Sequence, residues 1–143
     1  MATEVLRTLS VLLVNDARED SDPYARTLRG YGYQVVKAAT SVAAFQIAIS
    51  KPTDIVVTDV HITGSMTGLE LTRRLRLHAR TTTVPIIVLT DGSRPQDAEL
   101  ALKAGANMVL ERPVWADLLR QHIARLLMAA APRADRRRSL GWQ

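Results

Sequence analysis

The chain contains a short apolar run that ends in an acid, Asp54-Ile55-Val56-Val57-Thr58-Asp59. Runs of this length, rich in Val and Ile, are typical of parallel strands that are covered on both faces. Similar runs also end in polar residues: Ser10-Val-Leu-Leu-Val-Asn-Asp16, Val84-Pro-Ile-Ile-Val-Leu-Thr90 and Asn107-Met-Val-Leu-Glu-Arg-Pro113. The pattern predicts a parallel sheet with a set of polar residues at one edge, namely Asn15, Asp16, Asp59, Thr90 and Arg112.

Longer amphipathic stretches separate the apolar runs. We predict strands at Val11–Val14, Gln34–Lys37, Ile55–Thr58, Ile86–Leu89 and Met108–Leu110. We predict helices at about Asp22–Tyr31, Ser41–Ser50, Gly68–His78, Pro95–Ala104 and Trp115–Ala131. Five βα units indicate an α/β fold with a doubly wound parallel sheet, whose ligand sites lie beyond the carboxyl ends of the strands.

Local residue chemistry supports several helix boundaries. Ser21-Asp22-Pro23 offers an N-cap followed by a proline in the first turn, and Ser41 is the predicted cap of the second helix. Gly32 and Gly105 stand where helix C-caps belong.

Composition indicates one globular domain. The 143 residues are 47% hydrophobic, and no apolar run reaches the roughly 18 residues of a membrane span. We predict a domain at 1–131 and a basic, mobile tail at 132–143, where Arg133, Arg136, Arg137 and Arg138 carry much of the +5 net charge. Few aromatic residues are available for base stacking, so a nucleic-acid partner is not expected, although a weak contact with an acidic partner stays open. The lack of cysteine suits a cytoplasmic location.

The polar edge has the chemistry of a metal-assisted phosphoryl site. Two carboxylates near one point need a cation, and Mg²⁺ prefers carboxylate, water and phosphate oxygens. A carboxylate such as Asp59 can attack phosphorus to form an acyl phosphate. Thr90 and Arg112 are then candidate partners of the phosphoryl oxygens.

With these residues in this order, the chain from about Ser10 to Ala129 resembles the response-regulator receiver domain, the CheY-like family. The landmarks are the polar pair at Asn15 and Asp16, the Gly32-Tyr33 turn, Asp59, Thr90, Gly105-Ala106 and the basic residue before Pro113. The resemblance implies a flavodoxin-like sheet of order 2-1-3-4-5 with five helices. It also implies a cis peptide bond before Pro113.

The resemblance implies specific roles. Asp59 would be phosphorylated by a histidine kinase or phosphotransfer protein. Mg²⁺ would be held by Asp16, Asp59 and the backbone carbonyl of His61, and by Asn15 through water. Thr90 would report the phosphoryl group, and the signal would pass by binding to a downstream protein whose identity is unknown. No enzymatic activity is expected beyond Mg²⁺-dependent self-phosphorylation and autodephosphorylation.

Several residues depart from the family pattern. Asn15 replaces the first of two acids, so we expect weaker Mg²⁺ binding. Arg112 replaces a lysine and has two open roles, a phosphate contact or a resting salt bridge with Asp59. Asp91 follows Thr90 where a small residue is usual, and it disfavours a bound phosphoryl group only if it faces the pocket. Val109 stands in place of the switch aromatic, and the loop after Asp59 is one residue longer than usual.

Two other functions compete with a phosphorylated, stand-alone receiver. The first is a degenerate receiver that acts as a phosphorylation-independent interaction module. The second, more remote, is a phosphatase with an Asp nucleophile, because Asp59-Val-His-Ile-Thr63 loosely resembles the haloacid-dehalogenase motif. His61, His78 and His122 lack metal-ligand spacing and are interpreted as structural. The predicted partner face includes Lys103, Glu111 and Trp115.

Overall fold

The computed structural model describes residues 8–130, which form one parallel sheet flanked by helices. The strands are β1 (Ser10–Val14), β2 (Gln34–Ala38), β3 (Ile55–Asp59), β4 (Ile86–Thr90) and β5 (Met108–Glu111). The α-helices are α1 (Pro23–Gly30), α2 (Ser41–Ser50), α3 (Gly68–Leu77), α4 (Gln96–Ala104) and α5 (Ala116–Ala129). A short 3-10 turn at Glu19–Ser21 precedes α1. The predicted tail at 132–143, including its arginines, lies outside the described residues.

The strand order is β2-β1-β3-β4-β5, with every neighbouring pair parallel, as predicted. The central strands are buried on both faces, which explains their uninterrupted apolar sequences. Successive side chains alternate between two cores. Leu12 and Val56 contribute to the core that packs against α2, α3 and α4, whereas Val11 and Val57 contribute to the core under α1 and α5.

The helix caps follow the sequence predictions with one correction. Asp22 caps α1 by accepting hydrogen bonds from the backbone N–H groups of Tyr24 and Ala25, and Gly105 ends α4 in the left-handed conformation. The prediction that Ser41 caps α2 is wrong. Thr40 is the cap, since its hydroxyl accepts from the N–H of Ala43, and Ser41 is already the first helical residue. Two adjacent hydroxyl residues offered equivalent caps, and the chain uses the first.

The last helix buries part of its apolar stripe. Leu119 and Ile123 are fully buried, while Leu118 is exposed and Trp115, which precedes the helix, is 83% exposed. Within residues 8–130, no helix has the length and hydropathy needed to cross a membrane.

Candidate functional site

Asp59 ends β3 and is paired with the cation that the sequence placed beside it. The side chain of Asp59 is 17% exposed, and Nη2 of Arg112 donates a hydrogen bond to its Oδ1 at 2.5 Å. Arg112 directly follows β5, its backbone N–H donates to the carbonyl of Thr90, and the Arg112–Pro113 bond is cis, as predicted. Of the two roles open for Arg112, the structure therefore shows the resting salt bridge.

The electrostatics of Asp59 reflect a crowded acidic edge. Burial raises the pKa of the Asp59 carboxyl, and the charges of Asp16 and Asp22 raise it further. The hydrogen bond and charge of Arg112 lower the pKa but do not offset the increase. The folded protein thus disfavours the negative charge on Asp59 despite the ion pair with Arg112. Further positive charge at this edge would stabilise the ionised Asp59 carboxylate.

An aromatic ring fixes the other side of Arg112. The guanidinium carbon lies 5.6 Å from the centre of the Tyr24 ring, within the range of a cation–π contact. Tyr24 is buried, and its hydroxyl donates to the carbonyl of Val114 at 2.9 Å. The planar guanidinium uses both the carboxylate and the ring, which a lysine ammonium would do less well.

A second charged cluster lies beside the first, and the sequence did not predict it. Lys37, next to the end of β2, forms an ion pair with Asp22 and a hydrogen bond with Oδ1 of Asn15. The Asn15 amide donates to Oδ2 of Asp22 at 3.1 Å. Asp22 is 2% exposed, and the Lys37 side chain is 8% exposed. Burial raises the pKa of the Asp22 carboxyl, but the hydrogen bonds from Lys37 and Asn15 hold it below its usual range.

The only sequence signal for this cluster is a lysine inside an otherwise apolar strand segment, Val35-Val36-Lys37-Ala38. Such a lysine is commonly solvated on an edge strand, so its partners are not evident without the fold. Asp22 was identified as a helix cap, and its second function as the counter-ion of Lys37 depends on the packing of α1 beside β2.

Thr90 and Asp91 lie at the end of β4. Thr90 is buried, and its hydroxyl oxygen accepts from the N–H of Gly92 at 3.2 Å. Asp91 is exposed, and its carboxylate accepts from the N–H and hydroxyl of Ser93, which lower its pKa. Asp91 therefore folds onto its own loop, although it also borders a small cavity of about 150 Å³ with Asp59 and Arg112.

The His61 side chain lies in the loop after β3, with Nε2 3.5 Å from Oδ2 of the buried Asp97 in α4. This contact fits the structural interpretation of His61 and connects the loop to α4. Val109 is half-buried and packs against the core, so an aliphatic side chain fills the position of the family's switch aromatic.

Gly68 is required by the close approach of α3 to the end of β3. A Cβ atom at this position would lie 1.9 Å from the backbone oxygen of Asp59. The N–H of Gly68 also donates to the carbonyl of Val60 at 2.9 Å. The start of α3 is thereby fixed directly against the backbone that carries Asp59.

A cavity beside Asp59 has a volume of about 390 Å³, and its lining residues include Asn15, Asp16, Asp22, Tyr24, Arg112 and Trp115. Asp16 is exposed and accepts no hydrogen bond from the described residues. Within residues 8–130 there is no cluster of three or more His, Asp and Glu side chains arranged for a metal. The carboxylates of Asp16 and Asp59 nevertheless have the oxygen chemistry that Mg²⁺ prefers, and the raised pKa of Asp59 fits a site that favours an added cation. Oδ1 of Asn15 is already occupied by Lys37 and by the N–H of Ala17.

Comparison with known families agrees with the fold. The model of the response regulator receiver domain matches residues 11–124, and the chain therefore belongs to the receiver-domain family, as the resemblance indicated. Receiver domains are signalling modules of two-component systems and act with histidine kinases and phosphotransfer proteins.

Individual relatives cover most of the chain. The sensor protein EvgS of Escherichia coli K12 is 32% identical over 122 residues, which are 85% of this chain but only 10% of EvgS. Protein PilH of Pseudomonas aeruginosa is 27% identical over 117 residues, 82% of this chain and 96% of PilH. The receiver domain of the histidine kinase PA1611 from Pseudomonas aeruginosa PAO1 is 28% identical with a TM-score of 0.77, covering 85% of this chain and 99% of that one. Its structure holds a magnesium ion in the active-site cleft.

Proposed function

We propose that this chain is a receiver that accepts a phosphoryl group on Asp59 from a histidine kinase or phosphotransfer protein. The observation that carries the proposal is the Asp59–Arg112 pair, held at the carboxyl end of β3 beside Asp16 and a cavity open to a donor. One oxygen of Asp59 is bonded to Arg112, and the other is available to attack phosphorus. The O–P bond forms as the P–N bond of a phosphohistidine breaks, and the imidazole leaves as the neutral base after taking up a proton.

The remaining residues of this edge position and neutralise the phosphoryl group. Asp16, Asp59 and the backbone carbonyl of His61 would hold Mg²⁺, which supplies charge neutralisation to the phosphoryl oxygens when bound. Arg112 exchanges its bond with the Asp59 carboxylate for a bond with a phosphoryl oxygen. Among residues 8–130, the hydroxyl of Thr90 accepts a hydrogen bond from the N–H of Gly92 and donates none, so it keeps a proton to donate to the phosphoryl group.

The resting salt bridge gives this site a distinct first step. Because Arg112 is held by both Asp59 and Tyr24, its transfer to the phosphoryl group requires the guanidinium to move relative to the ring. That movement is our proposed report of phosphorylation, since Val109 cannot act as a switch aromatic. The signal would pass to a downstream protein through the exposed surface that includes Trp115, Lys103 and Glu111.

One observation favours the second candidate, a phosphorylation-independent interaction module. Arg112 already neutralises Asp59 without a phosphoryl group, and Lys37 neutralises Asp22. A site whose charges are paired internally can hold one conformation permanently. This module would bind its partner equally well with or without a phosphodonor.

Intact-mass spectrometry after incubation with a small-molecule phosphodonor distinguishes the two functions. A phosphorylated receiver gains one phosphoryl adduct that needs Mg²⁺ and is absent from Asp59→Asn. Asp20→Asn is the matched control, because Asp20 is an exposed acid paired only with Arg18 among the described residues, and it should retain the adduct. If the wild-type chain forms no adduct under conditions in which it is folded, the interaction module replaces the receiver as the best-supported function.

A further inference from the structure

Lys37 is a buried cation held at the edge of the phosphoacceptor site. Its side chain is 8% exposed, and its ammonium group bonds both Asn15 and Asp22. Burial of an ammonium group is unfavourable unless its charge is paired and its protons are bonded. The two partners therefore fix the ammonium next to the residues that follow β1.

The Lys37 network occupies the oxygens that a hydrated metal would otherwise use. Oδ1 of Asn15 accepts from Lys37 and from the N–H of Ala17. Oδ1 of Asp22 accepts from two backbone N–H groups at the start of α1, and Oδ2 accepts from Lys37 and the Asn15 amide. Among the acids that line the cavity, Asp16 and one oxygen of Asp59 remain for a cation.

The charge of the whole edge changes in the same direction. The carboxylates of Asp16, Asp22 and Asp59 face the cations Lys37 and Arg112, which leaves one net negative charge. Asp22 and Lys37 cancel each other, so this value equals that of Asp16, Asp59 and Arg112 alone. At the corresponding positions the family pattern of three acids and one lysine leaves two negative charges, and the difference comes from Asn15. A less negative edge attracts a divalent cation less strongly.

We propose that Lys37 is an internal counter-ion that sets the Mg²⁺ affinity of the site, a positioning residue that substitutes for part of the metal's charge. It does so by neutralising Asp22 and by occupying Oδ1 of Asn15. This inference rests on the proposed Mg²⁺ site at Asp16 and Asp59. The proposal explains why an amide fits at position 15. The Asn15 side chain accepts a hydrogen bond from the Lys37 ammonium and donates one to Asp22, whereas a carboxylate could only accept.

Calorimetric titration of MgCl₂ at fixed ionic strength tests the proposal on the full chain. Lys37→Gln removes the cation and should bind Mg²⁺ roughly tenfold more tightly than the wild type. Lys37→Arg keeps the charge and should remain near the wild-type affinity. A lysine with a purely structural role would not give a gain of affinity on its removal, so unchanged or weaker binding by a folded Lys37→Gln overturns the proposal.

A second variant keeps the test decisive if Lys37→Gln does not fold, as judged by circular dichroism. Asp22→Asn keeps an oxygen that can cap α1, removes one negative charge and leaves Lys37 unneutralised, so Mg²⁺ should bind roughly tenfold more weakly. Wild-type affinity in a folded Asp22→Asn also overturns the proposal. The titration measures metal binding, whereas intact mass measures phosphorylation. Failure of the Lys37 proposal can therefore be distinguished from failure of the proposed phosphorylation of Asp59.

Discussion

Replacing Asp22 should lower the free energy of unfolding of this domain more than replacing any exposed acid of the same loop. In Asp22→Ala, α1 loses its cap, which contributes about 1 kcal/mol, and Lys37 is left buried without its counter-ion. Breaking one partner out of a buried ion pair costs about 3–5 kcal/mol. Both effects follow from the loss of one carboxylate, so they overlap and do not add in full. We therefore expect the free energy of unfolding to fall by about 4 kcal/mol. That is a large fraction of the roughly 5–15 kcal/mol of a typical domain.

Urea denaturation followed by far-ultraviolet circular dichroism measures this loss. With a denaturant dependence of about 1.5 kcal/mol per molar urea, the midpoint should fall by roughly 2–3 M. Asp20→Ala is the control, because Asp20 and its partner Arg18 are largely exposed, and its effect should stay within about 0.5 kcal/mol. A loss below about 1 kcal/mol in Asp22→Ala, with an unchanged denaturant dependence, would refute the reasoning.

The difference in stability between the wild type and Asp22→Ala also has a defined pH dependence. The folded-state pKa of Asp22 is lowered, so its stabilisation is fully present above the unfolded value near 3.9 and is lost as the pH falls through the folded value. The stability difference between the wild type and Asp22→Ala should therefore be constant near neutral pH and should narrow only below about pH 4.

Three further changes test other parts of the structure. Asp59→Asn should raise the melting temperature at pH 7, because the raised pKa of Asp59 means that ionisation of this carboxyl costs stability. The gain should disappear below about pH 4, and a lower melting temperature at pH 7 would contradict the prediction. Gly68→Ala should cost roughly 2–3 kcal/mol by thermal denaturation, because its Cβ meets the Asp59 backbone, whereas Gly30→Ala meets nothing within 4 Å and should be tolerated. Arg76→Ala should lower the free energy of unfolding by roughly 2–3 kcal/mol in urea denaturation, because the Arg76 side chain donates hydrogen bonds from α3 to backbone carbonyls in the loops before β4 and β5. A change below about 0.5 kcal/mol would show that these hydrogen bonds are dispensable.

The fold could be predicted from sequence because each strand carries its own signal. Buried parallel strands are short and apolar throughout, so the run from Ile55 to Thr58 indicates its environment without knowledge of its neighbours. The strand order followed from the family resemblance, and the cis bond before Pro113 followed from the same source.

The site was predicted less completely because side-chain direction is a property of the fold. The resting bridge between Asp59 and Arg112 was one of two open alternatives, since spacing places the residues at one edge without orienting the guanidinium. The Lys37 cluster was missed because it depends on the position of α1 beside β2. Asp91 was undecided for a similar reason, since its direction depends on the turn that it forms with Ser93.

The shared carboxylate of Asp22 also has a consequence for evolution. Asn15, Asp22 and Lys37 satisfy one another's charges and hydrogen bonds, so a change at one position leaves a buried group of another unmatched. Divergence at this corner should therefore proceed in paired substitutions. Among descendants of this sequence, a chain that gains an acid at position 15 should therefore have kept the lysine at position 37 and lost the acid at position 22.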